Sequence, residues 1–440
     1  MTTILIFLFV AILIWVFVKR DKALPDENNF NGLHDCGPRT LMTVLPDLQR
    51  DKVEAAFKDC SDEWPYGGVT NVEFTTVLRH LNLFELFTYH AGDNLKLSDF
   101  TQEDNKFAVL LITGHFTVIK NGKIFDTPNA YRSLAEIALV LSVYAALWVI
   151  AGLLLAGFGW WASLPVSLVM SIIHVRIFSM FHDCTHRALF KSPVANEYAG
   201  HFIGIFSGTL YHVWQASHLR HHASIGQYDR RGKGDIRILT INEYKNAGLI
   251  QKMIYRLERN WMLRFSMAPL LYFMVYFRLP FLEMTRLTHW KSVIICNIGL
   301  VGFVGAGVML FGFQAFLIIF TPTILVATAL GAWFTYVQHQ FENITLMKAP
   351  NWRIYNAAFF ASSYYPMPGI LEWMTGNVSA HHVHHLCSRI PFYRLPQVLR
   401  DYPELKEINR LTIRDSLKTI RLNIWDDDKN KLVSFRESGL

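Results

Sequence analysis

The sequence predicts a mainly α-helical, multi-pass membrane protein with two antiparallel transmembrane hairpins, a cytosolic helical cap and a small N-terminal α+β module. Composition is the first observation: of 440 residues 52% are hydrophobic and 18% charged, and mean hydropathy is +0.22. That is more apolar than a soluble domain of this size. Apolar stretches of spanning length occur in two closely spaced pairs. The net charge of +7 agrees with loops that face an anionic cytoplasmic leaflet.

The N-terminus predicts a membrane anchor over residues 1–20. Ile4 to Val18 is an apolar run, and the basic residues Lys19, Arg20 and Lys22 follow it. A cleaved signal peptide would carry its charge before the apolar core, so we predict that this segment is uncleaved. It is shorter than the roughly 20 residues that a comfortable span needs, and an interfacial helix is the alternative.

Residues 24–130 differ from the rest of the chain and predict a small soluble α+β module of unknown role. They are polar and charged and are interrupted by Gly and Pro. Phe107 to Thr113 resembles a strand. Further on, Asn121-Gly122 between two β-like runs is a strong signal for a hairpin.

The remaining chain, residues 131–435, predicts a membrane domain with its functional residues on one side. Asn196 to Ser217 is expected to form an interfacial helix, and Leu249 to Phe281 an amphipathic stretch on the membrane surface. Two crossings return the chain to its starting side, and basic residues place that side in the cytosol. The predicted spans are Leu134–Phe158, Trp160–Phe181, Lys291–Phe313 and Gln314–Val337.

Three histidine clusters lie at the ends of these spans or in the polar segments between them. On a helix, residues i, i+3 and i+4 share a face, so each cluster directs its imidazoles to one point. Eight histidines are too many for one ion, because such sites carry three or four protein ligands. We therefore predict a two-metal site. The candidate ligands are His182 and His186 in box one, His218, His221 and His222 in box two, and His381, His384 and His385 in box three.

A ninth candidate ligand, His339, ends the last predicted span in the segment Tyr336-Val-Gln-His-Gln-Phe-Glu-Asn. A lone histidine at a helix end usually has a structural role, but this one lies on the membrane face that carries the other eight. His382, His212 and His201 are expected to support the site or to lie on the surface. Asp183 either holds a ligating imidazole in its tautomer or is a helix-surface charge.

These motifs resemble those of membrane fatty acid desaturases, and most closely the acyl-lipid and methyl-end types. The likeness rests on His182-Asp-Cys-Thr-His186, His218-x-x-His221-His222, Gln338-His339-Gln-Phe-Glu and Asn377-Val-Ser-Ala-His381-His-Val-His384-His385. Thr185 replaces the usual Gly of box one. His381 opens box three where front-end desaturases have Gln, which argues against a front-end enzyme.

The resemblance implies a non-haem diiron centre held by the nine histidines, with O2 as cosubstrate and a fatty acyl lipid or acyl-CoA as substrate. The sequence contains no flavin, haem or iron–sulfur signature, so the electrons are expected from a separate donor such as cytochrome b5 or ferredoxin. The membrane would be the endoplasmic reticulum in a eukaryote or the inner membrane in a bacterium.

Three other functions remain open at this point. The same histidine pattern serves membrane hydroxylases and ketolases that act on hydrophobic substrates. A metal transporter would place histidines within its spans, whereas these lie at span ends. A non-catalytic sensor on the same scaffold is the third. Nucleic-acid binding is excluded because no basic run is interleaved with aromatic residues, and five cysteines without CxxC spacing argue against a disulfide framework.

Overall fold

The structure, a computed structural model, describes residues 123–232, 235–278, 287–348 and 358–440, and the backbone of four earlier strands. The predicted anchor (1–20) and most of the predicted module (24–130) lie outside these residues. The described chain is mainly helical. Its α-helices are α1 (Ala130–Phe158), α2 (Trp160–Thr185), α3 (Pro193–Ser207), α4 (Tyr211–Ser224), α5 (Ile241–Asn246), α6 (Leu249–Arg259), α7 (Trp261–Arg264), α8 (Met267–Met274), α9 (Leu287–Phe311), α10 (Phe313–His339), α11 (Gly369–Met374), α12 (His381–Leu386), α13 (Leu395–Asp401) and α14 (Ile413–Thr419).

The strands that the structure describes form three small antiparallel sheets. Lys120 and Lys123 pair with each other on either side of Asn121-Gly122, as the hairpin signal predicts. The first sheet is β1 (Phe87–His90) and β2 (Asn94–Leu97), the second is β3 (Ala108–Ile112), β4 (His115–Lys120) and β5 (Lys123–Ile124), and the third is β6 (Ile424–Asp426) and β7 (Lys431–Val433).

Within the part of the chain that the structure describes, four helices, α1, α2, α9 and α10, are long and apolar enough to cross a membrane. Single glycines separate the members of each pair, and both have a positive φ that other residues rarely adopt: Gly159 at 91° and Gly312 at 82°. Asn129 caps the start of α1, where its side chain accepts a hydrogen bond from the Arg132 N–H. Because it contains these four long apolar helices, the protein is a membrane protein, as its composition predicted.

Helix α2 lies at the centre of these helices and packs against α1, α10 and α3. Most of its side chains are buried, whereas α1 and α9 expose large apolar residues such as Leu153 (68% exposed) and Met309 (87%). Exposed apolar side chains on helices of this length are suited to contact with lipid. The central helix α2 ends at Thr185, so it carries His182 within its last turn.

The segments between the spans differ from the predicted elements in detail. In place of one helix over residues 196–217 the structure has α3 and α4, because Gly208 (φ 66°) ends α3 in a left-handed turn. The amphipathic stretch 249–281 is divided into α6, α7, α8 and a short 3-10 helix. Residues 279–286 lie outside the described chain.

Helix α6 has two distinct faces. Tyr255 and Arg259 are buried against the protein, while Ile250, Met253 and Leu257 are more than half exposed. We expect the exposed apolar face to rest on the membrane surface. A spin label at Met253→Cys in proteoliposomes should be more accessible to O2 than to a water-soluble nickel complex. A label at the exposed Gln251→Cys, on another face of the helix, should show the reverse. Equal water accessibility of the two labels would contradict this placement.

Candidate metal centre

The end of α2 positions box one. The Thr185 hydroxyl donates to the carbonyl oxygen of His182 at 2.7 Å. Asp183 is buried, and its Oδ2 accepts the Phe392 N–H at 2.6 Å while its Oδ1 lies 3.3 Å from His182 Nδ1. Asp183 is therefore not a helix-surface charge. Its contact with His182 Nδ1 leaves Nε2 free to face inward.

Box two lies along one helix, α4, which is anchored to box one at two points. The Tyr211 hydroxyl donates to the carbonyl of Cys184 at 3.0 Å, and Gln215 Nε2 donates to the carbonyl of Thr185 at 2.7 Å. Both acceptors are carbonyl oxygens in the last turn of α2, where helix carbonyls lack intrahelical donors. Donors from α4 therefore help to satisfy them. These bonds fix the helix that carries His218, His221 and His222 directly beside the helix that carries His182.

A sharp turn introduces box three. Gly376 and Asn377 both have left-handed backbone conformations, with φ of 72° and 56°. An added Cβ at Gly376 would lie 2.8 Å from the Ser179 Cβ of α2, so this position requires glycine. Asn377 Nδ2 donates to the Phe392 carbonyl at 3.0 Å. The turn thereby directs the short helix α12, with His381, His384 and His385, back towards α2.

The last span supplies His339. It is the C-terminal residue of α10 and is 1% exposed. Its Nδ1 lies 2.9 Å from the carbonyl oxygen of Ala361, so Nδ1–H donates and Nε2 keeps its lone pair.

The structure brings all nine predicted histidines together in two groups. Within each group, one ring nitrogen of each histidine lies within 4.8 Å of the corresponding nitrogens of the others. The groups adjoin, since the rings of His222 and His385 stack at 4.2 Å between centroids. The five-histidine group is His182, His186, His218, His222 and His384, and the four-histidine group is His221, His339, His381 and His385.

The ring nitrogens contact one another across the boxes. In the five-histidine group, Nε2 of His218 lies 2.7 Å from Nε2 of His182 and 3.1 Å from that of His222. In the four-histidine group, Nε2 of His381 lies 2.8 Å from that of His339 and 2.9 Å from that of His385. The five-histidine group draws its members from all three boxes, and the four-histidine group from boxes two and three together with His339.

The two groups fit metal ions for an electrostatic reason. Burial lowers the pKa of His186, His218, His221, His222, His381, His384 and His385 well below 6.5. The rings are thus neutral, and a neutral imidazole has one N–H and one lone pair. Nitrogens that face each other in a cluster cannot all be donors, and the buried Nε2 of His186 has no hydrogen-bond partner. A cation at the centre of each group would satisfy these lone pairs.

The donor chemistry narrows the choice of ion. Nitrogens bound to one ion at about 2.0–2.1 Å lie within roughly 4.2 Å of each other, close to the separations seen here. Both groups consist of imidazoles alone, and the buried Cys184 and Cys387 belong to neither. Such sites suit iron, zinc or copper.

The three weaker candidates lie apart from these groups. His382 is fully buried, and its Nε2 lies 2.9 Å from the Leu405 carbonyl, so it supports the fold of box three. His201 and His212 come together with Glu197 in a third, separate group. Sequence reasoning missed this group, although the i, i+4 spacing of Glu197 and His201 was a signal for it.

A membrane protein with two adjoining histidine groups is the class that the fold and the site define. A family model described as fatty acid desaturase matches residues 158–415. A protein named fatty acid desaturase from Bacillus subtilis (strain 168) is 34% identical over 312 residues, which cover 71% of this chain and 88% of that protein. An sn-1 acyl-lipid omega-3 desaturase (ferredoxin) from Synechocystis is 24% identical, covering 61% and 74% of the two chains. An sn-1 oleoyl-lipid 12-desaturase from Arthrospira platensis is 22% identical, covering 56% and 72%.

The chain belongs to the fatty acid desaturase family. It is accordingly an oxidoreductase of lipid metabolism, and its histidine groups fit the diiron chemistry of that family.

Proposed function

We propose that this protein introduces a C=C bond into a fatty acyl chain with O2 as oxidant, at a diiron centre held by the nine histidines. One observation carries the proposal: three boxes and His339, far apart in sequence, form two adjoining all-imidazole groups. The five-histidine group would hold one iron ion and the four-histidine group the other. When bound, the ions would activate O2, the oxidant that removes hydrogen from an unactivated methylene.

The residues around the histidines would keep this centre in place and dry. Asp183 and the Ala361 carbonyl each contact the Nδ1 of a proposed ligand and leave its Nε2 for the metal. Most of the nine side chains are buried. A buried site limits the access of water to a strongly oxidising centre.

An aromatic surface beside the five-histidine group supports an apolar substrate. Trp214 stacks on His218 at 5.4 Å between centroids, and it also stacks on Phe273 at 5.9 Å. Phe178 contacts Trp214 edge-on at 5.1 Å. We propose that an acyl chain lies along such side chains with one methylene near the metals. The names of two relatives, which refer to acyl lipids, favour a lipid-bound acyl group over acyl-CoA.

The electron donor is proposed to be a separate protein. The sequence holds no flavin, haem or iron–sulfur motif, so a cytochrome b5 or a ferredoxin would have to dock on the face that carries the boxes. The word ferredoxin in the name of the Synechocystis relative favours the second. Basic residues on this face, such as Arg187 and Arg220, would favour an acidic partner.

We further propose a topology in which α1 with α2, and α9 with α10, form two antiparallel transmembrane hairpins. Each pair is joined by one glycine, which supports a reversal of direction. Both box one and His339 lie at the C-terminal ends of the second helices, so they would share one side, the cytosolic side by the positive-inside rule.

The domains are proposed as an anchor (1–20), a soluble module (24–130) and the desaturase domain (131–435). The membrane would be the endoplasmic reticulum or a bacterial inner membrane.

Product analysis tests the proposed reaction. Total fatty acids from cells that express the chain together with a ferredoxin and its reductase, or with cytochrome b5 and its reductase, are analysed by gas chromatography and mass spectrometry. A new unsaturated species is expected, and it should be absent with His384→Ala. The control is His382→Gln, which lies outside both groups and whose side-chain amide can still donate to the Leu405 carbonyl, so the product should be retained. A hydroxylated or keto product would replace this proposal with a membrane hydroxylase or ketolase.

A further inference from the structure

A second kind of ligand cluster lies on α3 and α4, outside the nine-histidine centre. Glu197 and His201 are one turn apart on α3, and His212 is the second residue of α4. Their ligand atoms lie within 4.8 Å of one another. The cluster therefore joins two helices at the point where the chain turns at Gly208 to Leu210.

The distances within the cluster suit one small cation. Glu197 Oε1 lies 3.2 Å from His212 Nε2 and 3.9 Å from His201 Nε2. Ligands bound to one ion at about 2.0–2.2 Å in tetrahedral geometry lie roughly 3.4 Å apart. The two observed distances fall on either side of that value. Small rotations of the side chains would therefore bring all three atoms to an ion.

His201 is the strongest indication that something is bound. Its side chain is only 8% exposed, and neither of its ring nitrogens has a hydrogen-bond partner. Leaving a buried polar group without a hydrogen bond is unfavourable, so such groups normally have a partner. The Nε2 of His201 is directed at the carboxylate of Glu197, but at 3.9 Å it is beyond hydrogen-bond distance.

We propose that Glu197, His201 and His212 bind a divalent transition-metal cation, such as Zn2+, in a site separate from the proposed diiron centre. Two imidazoles and one carboxylate are a ligand set that such ions accept, with the remaining position left to water. The site would fasten the start of α4 to α3. Six residues after His212 the same helix carries His218, so the cation would help to hold box two in position.

One neighbouring charge opposes this site. Lys291 Nζ lies 3.8 Å from Glu197 Oε1, where it competes with a cation for the carboxylate. The lysine side chain is 57% exposed, so it can turn out into solvent when an ion binds. Its removal should therefore strengthen metal binding, whereas removal of any of the three ligands should weaken it.

Zinc binding by the purified full chain tests the site. The chain is dialysed against buffered free Zn2+, and bound zinc is measured by plasma mass spectrometry. Glu197→Gln and His201→Gln should each hold about one zinc ion per chain fewer than the wild type. Lys291→Ala should bind this ion about threefold more tightly, as expected for a screened surface charge. This gain cannot come from misfolding. The matched control is Glu342→Gln, which removes an exposed carboxylate 2.9 Å from Lys431 and should change nothing.

A His384→Ala background separates this site from the diiron centre. The difference of about one zinc ion between chains with and without Glu197→Gln should persist there, whatever the fate of the main centre. Equal zinc contents of the wild type and His201→Gln would overturn the proposal. A loss in Glu342→Gln as large as in Glu197→Gln would also overturn it, because binding would then be a general property of surface carboxylates.

Discussion

His221→Ala is expected to lower bound iron from about two ions per chain to about one and to reduce desaturation more than 100-fold. The four-histidine group would keep only three imidazoles, since His221 Nε2 lies 3.1 Å from that of His339 and 3.3 Å from that of His385. Changes to residues that merely orient ligands already cost about 10- to 100-fold, so loss of a ligand should cost more. Iron is measured by plasma mass spectrometry and activity by product formation.

The neighbouring residue supplies a graded comparison. His222→Ala removes a histidine from the five-histidine group and leaves four, so it should retain more iron than His221→Ala. His382→Gln, outside both groups, should retain the iron content of the wild type. Normal turnover in His221→Ala would refute the assignment of the four-histidine group. Equal iron loss in His382→Gln would show that the loss reflects damage to the fold.

The sequence predicted the ligand candidates but not their division into two groups. Histidines at i and i+4 share a group in every box: His182 with His186, His218 with His222, and His381 with His385. The remaining members, His221 of box two and His384 of box three, enter the opposite groups. Helical spacing explains the pairs, because residues at i and i+4 lie one above the other. Which group His221 and His384 join depends on how α4 and α12 face each other, and the spacing within one helix does not determine that.

Long-range contacts in the membrane domain could not be predicted from the sequence either, because local spacing does not determine how separate helices pack. In the sequence, Glu136 of α1 and Arg176 of α2 are isolated charges in apolar stretches, 40 residues apart. In the structure Arg176 Nη2 lies 2.6 Å from Glu136 Oε2, and the two residues are 1% and 5% exposed. The guanidinium also donates to the Trp373 carbonyl and lies 5.0 Å from the centroid of the Phe392 ring. One buried ion pair thus connects two spans to the segments on either side of box three.

Arg176→Met is expected to destabilise the protein by roughly 3–5 kcal/mol, because it leaves the buried carboxylate of Glu136 without its main partner. Arg132, at 2.8 Å from Glu136 Oε1, is 59% exposed and can compensate only in part. Glu136→Leu should be costly for the converse reason, because it leaves the buried guanidinium of Arg176 without its carboxylate partner. The free energy of unfolding is measured by denaturant titration in detergent micelles, with the iron content recorded beside it.

The double variant Glu136→Leu/Arg176→Met distinguishes a coupled pair from two independent packing defects. Removing both charges leaves no unpaired buried ion, so the double variant should lose clearly less stability than the sum of the single losses. Strictly additive losses would mean that the two side chains stabilise the helices separately. Because neither residue belongs to a histidine group, folded fractions of all three variants should still bind iron. If the ion pair stabilises only the fold, its loss should lower the free energy of unfolding without changing the iron content of the folded protein.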